Sequence, residues 1–135
     1  MGKTITLTSC ADGSYLVADT QNNTLVNASA VQGENARFKV LDLGLGRVAF
    51  QASNGRFVSA GENGVVLKDL AGQKPGDSES FQWINLMRGD TMFMSLTNHR
   101  YLTTKPKEAG PVTVAATGPA PARKSGAEFK WQSVE

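Results

Sequence analysis

Few side chains in this chain could carry covalent or proton-transfer chemistry. Its 135 residues contain a single histidine, His99, and a single cysteine, Cys10. A Ser-His-Asp triad would need His99 to be oriented by a carboxylate and to touch a nucleophile. The surrounding sequence, Asn98-His99-Arg100, is instead typical of a tight turn. One cysteine also excludes an internal disulfide and a cysteine-rich zinc site.

The remaining polar residues form no catalytic or metal-binding motif. The sequence has no phosphate-binding Gly-rich loop, no His-Glu-x-x-His and no aspartate-rich calcium loop. Twelve acidic residues are present, but no spacing among them selects the pair that a glycosidase would need. We therefore expect a protein that is not an enzyme and that uses no metal and no cofactor.

Net charge and hydropathy argue against two further classes of protein, nucleic-acid binders and membrane-spanning proteins. Fourteen Lys and Arg against twelve Asp and Glu leave a net charge of +2, whereas nucleic-acid binders carry a denser basic footprint. No apolar run approaches the roughly 18 residues of a membrane span. We expect neither a nucleic-acid partner nor a membrane span.

The elements that must position any site repeat along the chain. Phenylalanines in similar phrases occur at Phe38, Phe81 and Phe129, with spacings of 43 and 48 residues. A second marker, a turn followed by an aromatic residue, occurs at Tyr15, Phe57 and Tyr101, with spacings of 42 and 44. Two independent markers therefore indicate three copies of one unit, at about 4–45, 46–88 and 89–135.

Each copy is predicted to contain four short strands and no helix longer than about two turns. Alternating apolar and polar residues, as in Ile5 to Leu7, indicate half-buried strands, and Asn54-Gly55 supplies the positive φ of a tight hairpin. Twelve strands in three units favour an all-β fold, the β-trefoil, in which a six-stranded barrel is capped by three hairpins. We expect residues 1–135 to form a single domain, because one copy alone cannot bury its apolar face.

Ligand contacts are predicted in the turns between the first and second strands of the three copies, because sites are commonly carried by loops on a rigid scaffold. Their side chains can hydrogen-bond vicinal hydroxyl groups, although they could instead serve only to form the turns. The candidates are Asp12, Ser14, Asn54, Arg56, Asn98, His99 and Arg100.

One of these turns carries a resemblance to a known family. Residues 54–60, Asn-Gly-Arg-Phe-Val-Ser-Ala, followed by Gly64-Val65-Val66-Leu67 and Glu79-Ser80-Phe81, resemble the fascin-like branch of β-trefoils. The resemblance implies two possible roles. One is carbohydrate binding as an accessory module of a polysaccharide-active enzyme, and the other is actin bundling or scaffolding. The chain is less similar to ricin-type lectins, whose Gln-x-Trp motif is here replaced by Gln82-Trp83 and Trp131-Gln132.

Carbohydrate is the favoured partner and actin the alternative. An acidic partner could contact a basic set in the third copy, made of Lys105, Lys107, Arg123 and Lys124. An extracellular location is expected if the chain is a module of a secreted enzyme, and a cytoplasmic one otherwise. No signal peptide is predicted at the N-terminus, since Met1 to Thr8 contains no apolar block.

Trp83 and Trp131 could stack on sugar rings, but the repeat places both two residues after a core phenylalanine. Because residues i and i+2 of a strand share a face, we predict that both tryptophans lie in the core. Tyr15, Phe57 and Tyr101 are predicted to be core residues as well.

Overall fold

The computed structural model describes residues 3–10, 13–28, 33–61, 64–85, 90–97, 99–104, 110–116 and 128–134. The first copy contains β1 (Lys3–Ser9), β2 (Tyr15–Asp19), β3 (Thr24–Ala28) and β4 (Phe38–Gly44). The second contains β5 (Arg47–Gln51), β6 (Phe57–Gly61), β7 (Gly64–Lys68) and β8 (Phe81–Asn85). The third contains β9 (Thr91–Ser95), β10 (Tyr101–Thr103), β11 (Gly110–Pro111), β12 (Thr113–Ala116) and β13 (Phe129–Ser133).

Six of these strands close into a barrel. Antiparallel pairing runs from β1 to β4, β5, β8, β9 and β13, and β13 pairs with β1 again. Closure leaves no free edge in the ring, which is how an all-β chain avoids edge-to-edge association. The hairpins β2–β3, β6–β7 and β10–β12 stand at one end of the barrel and contact one another through β3, β7 and β11. This is the predicted β-trefoil.

The strand register displays the threefold repeat directly. Phe38 lies opposite Ile5, Phe81 opposite Val48, and Phe129 opposite Thr91. The partners Ile5, Val48 and Thr91 each lie four residues before the residue whose N–H closes the next turn, Ser9, Ala52 or Ser95, so the three pairs are equivalent under a 120° rotation. All three phenylalanine side chains are fully buried.

The described residues contain thirteen strands rather than the twelve predicted, because the third strand of the third copy is interrupted. Pro111 ends the two-residue β11, and proline has no N–H with which to continue a ladder. Val112, between β11 and β12, donates its N–H to Leu25 O at 2.8 Å, and its side chain is buried.

The described helical segments are short. They are two 3₁₀ helices, Gly33–Ala36 before β4 and Asp77–Glu79 before β8. Among the described residues, no helix has the length and apolar character that crossing a bilayer demands.

Within the largely aliphatic core, phenylalanine rings form a contiguous cluster. Phe50 and Phe93 meet edge to face with ring centroids 5.1 Å apart, Phe81 lies 5.9 Å from Phe50, and Phe129 lies 6.0 Å from Phe93. Such offset and edge-to-face pairs are favoured by the ring quadrupoles and add to the free energy gained by burial.

The prediction that both tryptophans are core residues is only partly right. Trp83 is half-buried and packs edge to face on Phe93, with centroids 5.1 Å apart, whereas Trp131 is 39% exposed. Both do point inward, because Trp83 pairs with Phe93 and Trp131 with Leu7 across the ladder. They lie one layer beyond the phenylalanines, at the end of the barrel opposite the β2–β3, β6–β7 and β10–β12 hairpins, so one flank of Trp131 stays open to solvent.

The second aromatic triplet also differs from the prediction. Phe57 is buried, but Tyr15 and Tyr101 are only half-buried. A tyrosine at the junction of barrel and hairpin gains by keeping its hydroxyl near water, which a phenylalanine cannot do.

The central phenylalanine layer yields a stability prediction. Phe81→Ala should lower the free energy of unfolding by about 3–5 kcal/mol, because it removes a fully buried ring and leaves a cavity. Val66→Ala, at a side chain that is 44% exposed, is the control and should cost less than about 1 kcal/mol. Urea melts of both variants measure the difference. A loss below about 1 kcal/mol for Phe81→Ala would contradict the assignment of this layer to the core.

Candidate functional site

The three turns that carry the predicted ligand contacts share one closing hydrogen bond. Each is closed by an N–H that donates across the turn: Ser9 N to Ser14 O, Ala52 N to Arg56 O, and Ser95 N to Arg100 O, all at 2.8 Å. The second turn is one residue shorter than the others. The turns lie where the barrel meets the hairpins, and the pseudo-threefold axis relates them.

A residue with left-handed backbone precedes the last residue of each turn. It is Gly13 (φ 77°), Gly55 (φ 85°) and, in the third copy, His99 (φ 59°). His99 donates its backbone N–H to Ser95 O at 2.9 Å, and its side chain is exposed. The histidine thus occupies a position that is glycine in the other two copies.

The polar side chains of the turns do not all face solvent. Ser14 is only 6% exposed, and its Oγ accepts a hydrogen bond from Asn27 Nδ2 at 3.3 Å. Asn54 is exposed, and its Oδ1 accepts the backbone N–H of Arg56 at 3.1 Å. These bonds stabilise the turns, and Ser14 has little surface to offer a ligand.

The described members of the predicted set remain on three separate turns. Asp12 and Asn98 lie outside the described residues, and so do Lys105, Lys107, Arg123 and Lys124. The basic set therefore stays a prediction.

A polar pocket lies beside the second turn. It has a volume of about 280 Å³ and is formed by the first 3₁₀ helix, β4 and the end of β5. Its lining residues are Thr4, Glu34, Arg37, Lys39, Gln51, Ala52 and Ser53. Ser53 Oγ donates to Asn35 Oδ1 at 2.9 Å, which fastens the turn to the 3₁₀ helix. The pocket is thus built between two copies of the repeat rather than within one.

Sequence analysis missed Glu34, Arg37 and Lys39 as site residues. They precede or follow Phe38, and the pairing of β4 with β5 brings Lys39 opposite Gln51. The alternation of exposed and buried residues around Phe38 was the available signal, since it puts Arg37 and Lys39 on the outer face.

The donor and acceptor types in the pocket fit a polyhydroxylated ligand. Arg37, Lys39 and Gln51 can donate, while Glu34 and the hydroxyl groups of Thr4 and Ser53 can accept. Among the described residues, no group of three or more His, Cys, Asp or Glu side chains is placed to hold a metal ion.

The carboxyl group of Asp19, the last residue of β2, has a lowered pKa. Its carboxylate accepts from Asn22 Nδ2 at 2.9 Å and from the backbone N–H groups of Asn22 and Gln21 at 3.2 Å. The hydrogen bond from the Asn22 side chain is the largest cause. Together these bonds hold the pKa of Asp19 below its ordinary value. The ionised carboxylate therefore accepts hydrogen bonds within the β2–β3 turn.

Comparison with known proteins identifies the fold but no family. No family model matches the chain, and no curated protein matches it. Among solved structures, the designed threefold-symmetric protein ThreeFoil superposes with a TM-score of 0.80 at 14% identity, covering 95% of this chain and 96% of its own. SeviL bound to the asialo-GM1 saccharide gives a TM-score of 0.79 at 9% identity, with both chains fully covered.

At such low identity these likenesses define a fold class only. The chain has the β-trefoil fold over nearly its whole length. Membership of the fascin-like branch remains a prediction from the residues of the second copy.

The left-handed position in the turns can be tested by substitution. His99→Gly should raise the free energy of unfolding by about 0.5–1 kcal/mol, because glycine removes the left-handed strain at some cost in unfolded-chain entropy. Gly55→Ala should lower it by about 1 kcal/mol, although a Cβ there would meet no atom within 4 Å. Urea unfolding of both variants checks this, and a less stable His99→Gly protein would show that the side chain has a structural role in the turn.

Proposed function

We propose that this chain is a non-catalytic carbohydrate-binding β-trefoil module. The observation that carries the proposal is the polar pocket of about 280 Å³ beside the turn between β5 and β6. It joins outward-facing charged side chains of one copy to a turn of the next. Asn54 and Arg56, on the same turn, extend the candidate surface.

Arg37 and Glu34 make a suitable pair for vicinal hydroxyl groups. A guanidinium presents several N–H donors in a fixed plane, and a carboxylate accepts from two hydroxyls. Both belong to the segment around the first 3₁₀ helix, where Arg37 N donates to Glu34 O at 3.0 Å. Their backbones are thereby held together before any ligand arrives, which lowers the cost of ordering them on binding.

The affinity should be weak. The pocket is open and polar, so water competes for every hydrogen bond that a sugar hydroxyl would make. We expect a dissociation constant on the order of 0.1–1 mM for a short glycan. Several such pockets, or several modules on one polymer, would be needed for tight attachment.

The likeness to SeviL supports the carbohydrate proposal through the fold alone. A β-trefoil of the same extent binds a saccharide in that structure. At 9% identity no site residue can be carried over, so the residues proposed here come from this chain. The finer role, an accessory module of a polysaccharide-active enzyme, rests on the fascin-like resemblance of residues 54–60. Actin is the alternative partner.

The pocket can be tested with a matched pair of variants. Arg37→Ala should weaken binding to the preferred polysaccharide at least about fivefold, because it removes the main donor fork. Lys68→Ala, an exposed cation of β7 outside the pocket, should leave binding unchanged. Arg56→Ala should weaken binding as well, without lowering the melting temperature much. A glycan array selects the sugar, and titration with soluble oligosaccharide measures the affinity.

Salt separates a neutral sugar from an acidic partner. Binding to a neutral polysaccharide should change little between 50 and 300 mM salt, whereas binding through surface cations should fall over that range. Co-sedimentation with insoluble polysaccharides and with filamentous actin at both salt levels makes the comparison. Salt-sensitive pelleting with actin, and none with any polysaccharide, would replace the proposal by its alternative.

A further inference from the structure

The tip of the β4–β5 hairpin is an unusual two-residue turn. Gly44 pairs with Arg47, and the residues between them, Leu45 and Gly46, have φ values of 57° and 78°. Gly44 before them has a φ of 86° and follows a register shift in the pairing of β4 with β5. Positive φ at both central residues is what a type I′ turn requires, and that turn normally carries Asn-Gly or Asp-Gly. Leucine at the first position is strained there, because its Cβ crowds the backbone.

The strained leucine is also the most exposed large apolar side chain among the described residues. Leu45 is 87% exposed, and Leu43, two residues before it, is 37% exposed. An asparagine at position 45 would fit both the backbone and the solvent better. Leu45 lowers the stability of the turn and still exposes an apolar side chain. We therefore interpret it as a residue that contacts another molecule.

The tip is held in place rather than free to collapse onto the protein. Leu45 O accepts from Gln82 Nε2 at 3.1 Å, and Gly46 O accepts from Trp83 N at 2.9 Å. A Cβ on Gly46 would stand 2.6 Å from Gln82 Nε2, so any larger residue there would push the end of the Gln82 side chain away. The backbone at Leu45 is therefore held in place, and the leucine side chain projects into solvent.

A groove runs along the side of the same hairpin. Its volume is about 650 Å³, and its apolar lining comes from Leu41, Leu43, Pro75 and Leu96. Its far wall, residues 74–77, is fixed by Gly76, which donates its N–H to Glu79 Oε1 at 2.9 Å and accepts from Ser80 Oγ at 2.7 Å. Leu45 does not line this groove, so the projection and the groove are adjacent but separate.

The charges around the groove indicate what could cover it. Two basic side chains, Arg47 and Lys74, stand beside two acidic ones, Asp42 and Asp77. An anionic membrane or a polyanion would favour an excess of cations, which this lining does not have. A balanced set of both signs is what a surface needs to meet itself without repulsion.

We propose that two copies of this chain pair across this face, with Leu45 of each copy inserted into the groove of the other. The projection and the groove belong to one hairpin, so a two-fold axis beside the hairpin makes both insertions at once. Such an arrangement is closed and stops at two copies. The pairing goes beyond the proposed carbohydrate binding and does not depend on it.

Sedimentation equilibrium of the full chain over about 1 to 500 µM tests the proposal. The unsubstituted chain should show a reversible dimer. Leu45→Asn should raise the dimer dissociation constant at least about tenfold, because it removes both inserted apolar side chains. The same variant should have an equal or higher melting temperature, since asparagine tolerates the left-handed turn. Val66→Thr, at an exposed apolar position of β7, is the control and should leave the dimer unchanged.

A charge reversal provides a second, independent measurement. Lys74→Glu gives each groove a net negative charge, so it should weaken the dimer at 50 mM salt and less so at 300 mM. Adding Asp77→Lys restores the balance and should restore pairing. A chain that is monomeric at every concentration overturns the proposal, and so does a dimer that Leu45→Asn leaves intact. If the monomer instead sediments with anionic lipid vesicles through Leu45, the occupant is a membrane and the proposal is wrong.

Discussion

The antiparallel pairing of β1 with β13 is the contact on which the architecture depends. Five consecutive residue pairs, from Ile5–Ser133 to Ser9–Phe129, join the first strand of the chain to the last. Without them the other five barrel pairings would form an open, curled sheet with two exposed edges. With them the buried phenylalanines of all three copies face one interior. This contact joins residues that lie far apart in the sequence. The entropy cost of closing so long a loop must therefore be met before burial of the core can offset it.

Much of this architecture could be predicted from the sequence, because the repeat marks the positions that must be equivalent. The phenylalanine spacing identifies the pairs Ile5–Phe38, Val48–Phe81 and Thr91–Phe129 in outline, since each triplet occupies one layer. Position along the barrel was not predictable in the same way. Trp131 shares a face with Phe129, yet it lies at the uncapped end, and alternation reports the face of a strand without its depth.

The candidate site was predicted less well, for a related reason. The turns are local, so their residues could be named from Asn-Gly and Asp-Gly signals. The polar pocket is formed where the first copy meets the second. The sequence around Glu34 and Arg37 does not indicate that the second copy lies beside them. The hairpin tip was hidden in another way, because Leu43 and Leu45 alternate with glycines and look like a continuing strand. The three copies also differ at single positions. His99, for example, stands where the other two copies have glycine, and such differences mark where the repeat is not exact.

The β1–β13 pairing also brings the two termini together. Val134 N donates to Thr4 O at 2.9 Å, so both ends of the described chain leave the barrel side by side at the end opposite the β2–β3, β6–β7 and β10–β12 hairpins. A short linker could join them, and new ends could then be opened in any exposed turn without cutting a barrel strand. The fold could equally be carried as an insertion in a loop of a larger protein. Either way, the hairpins and the turns at their base would project away from the attachment point.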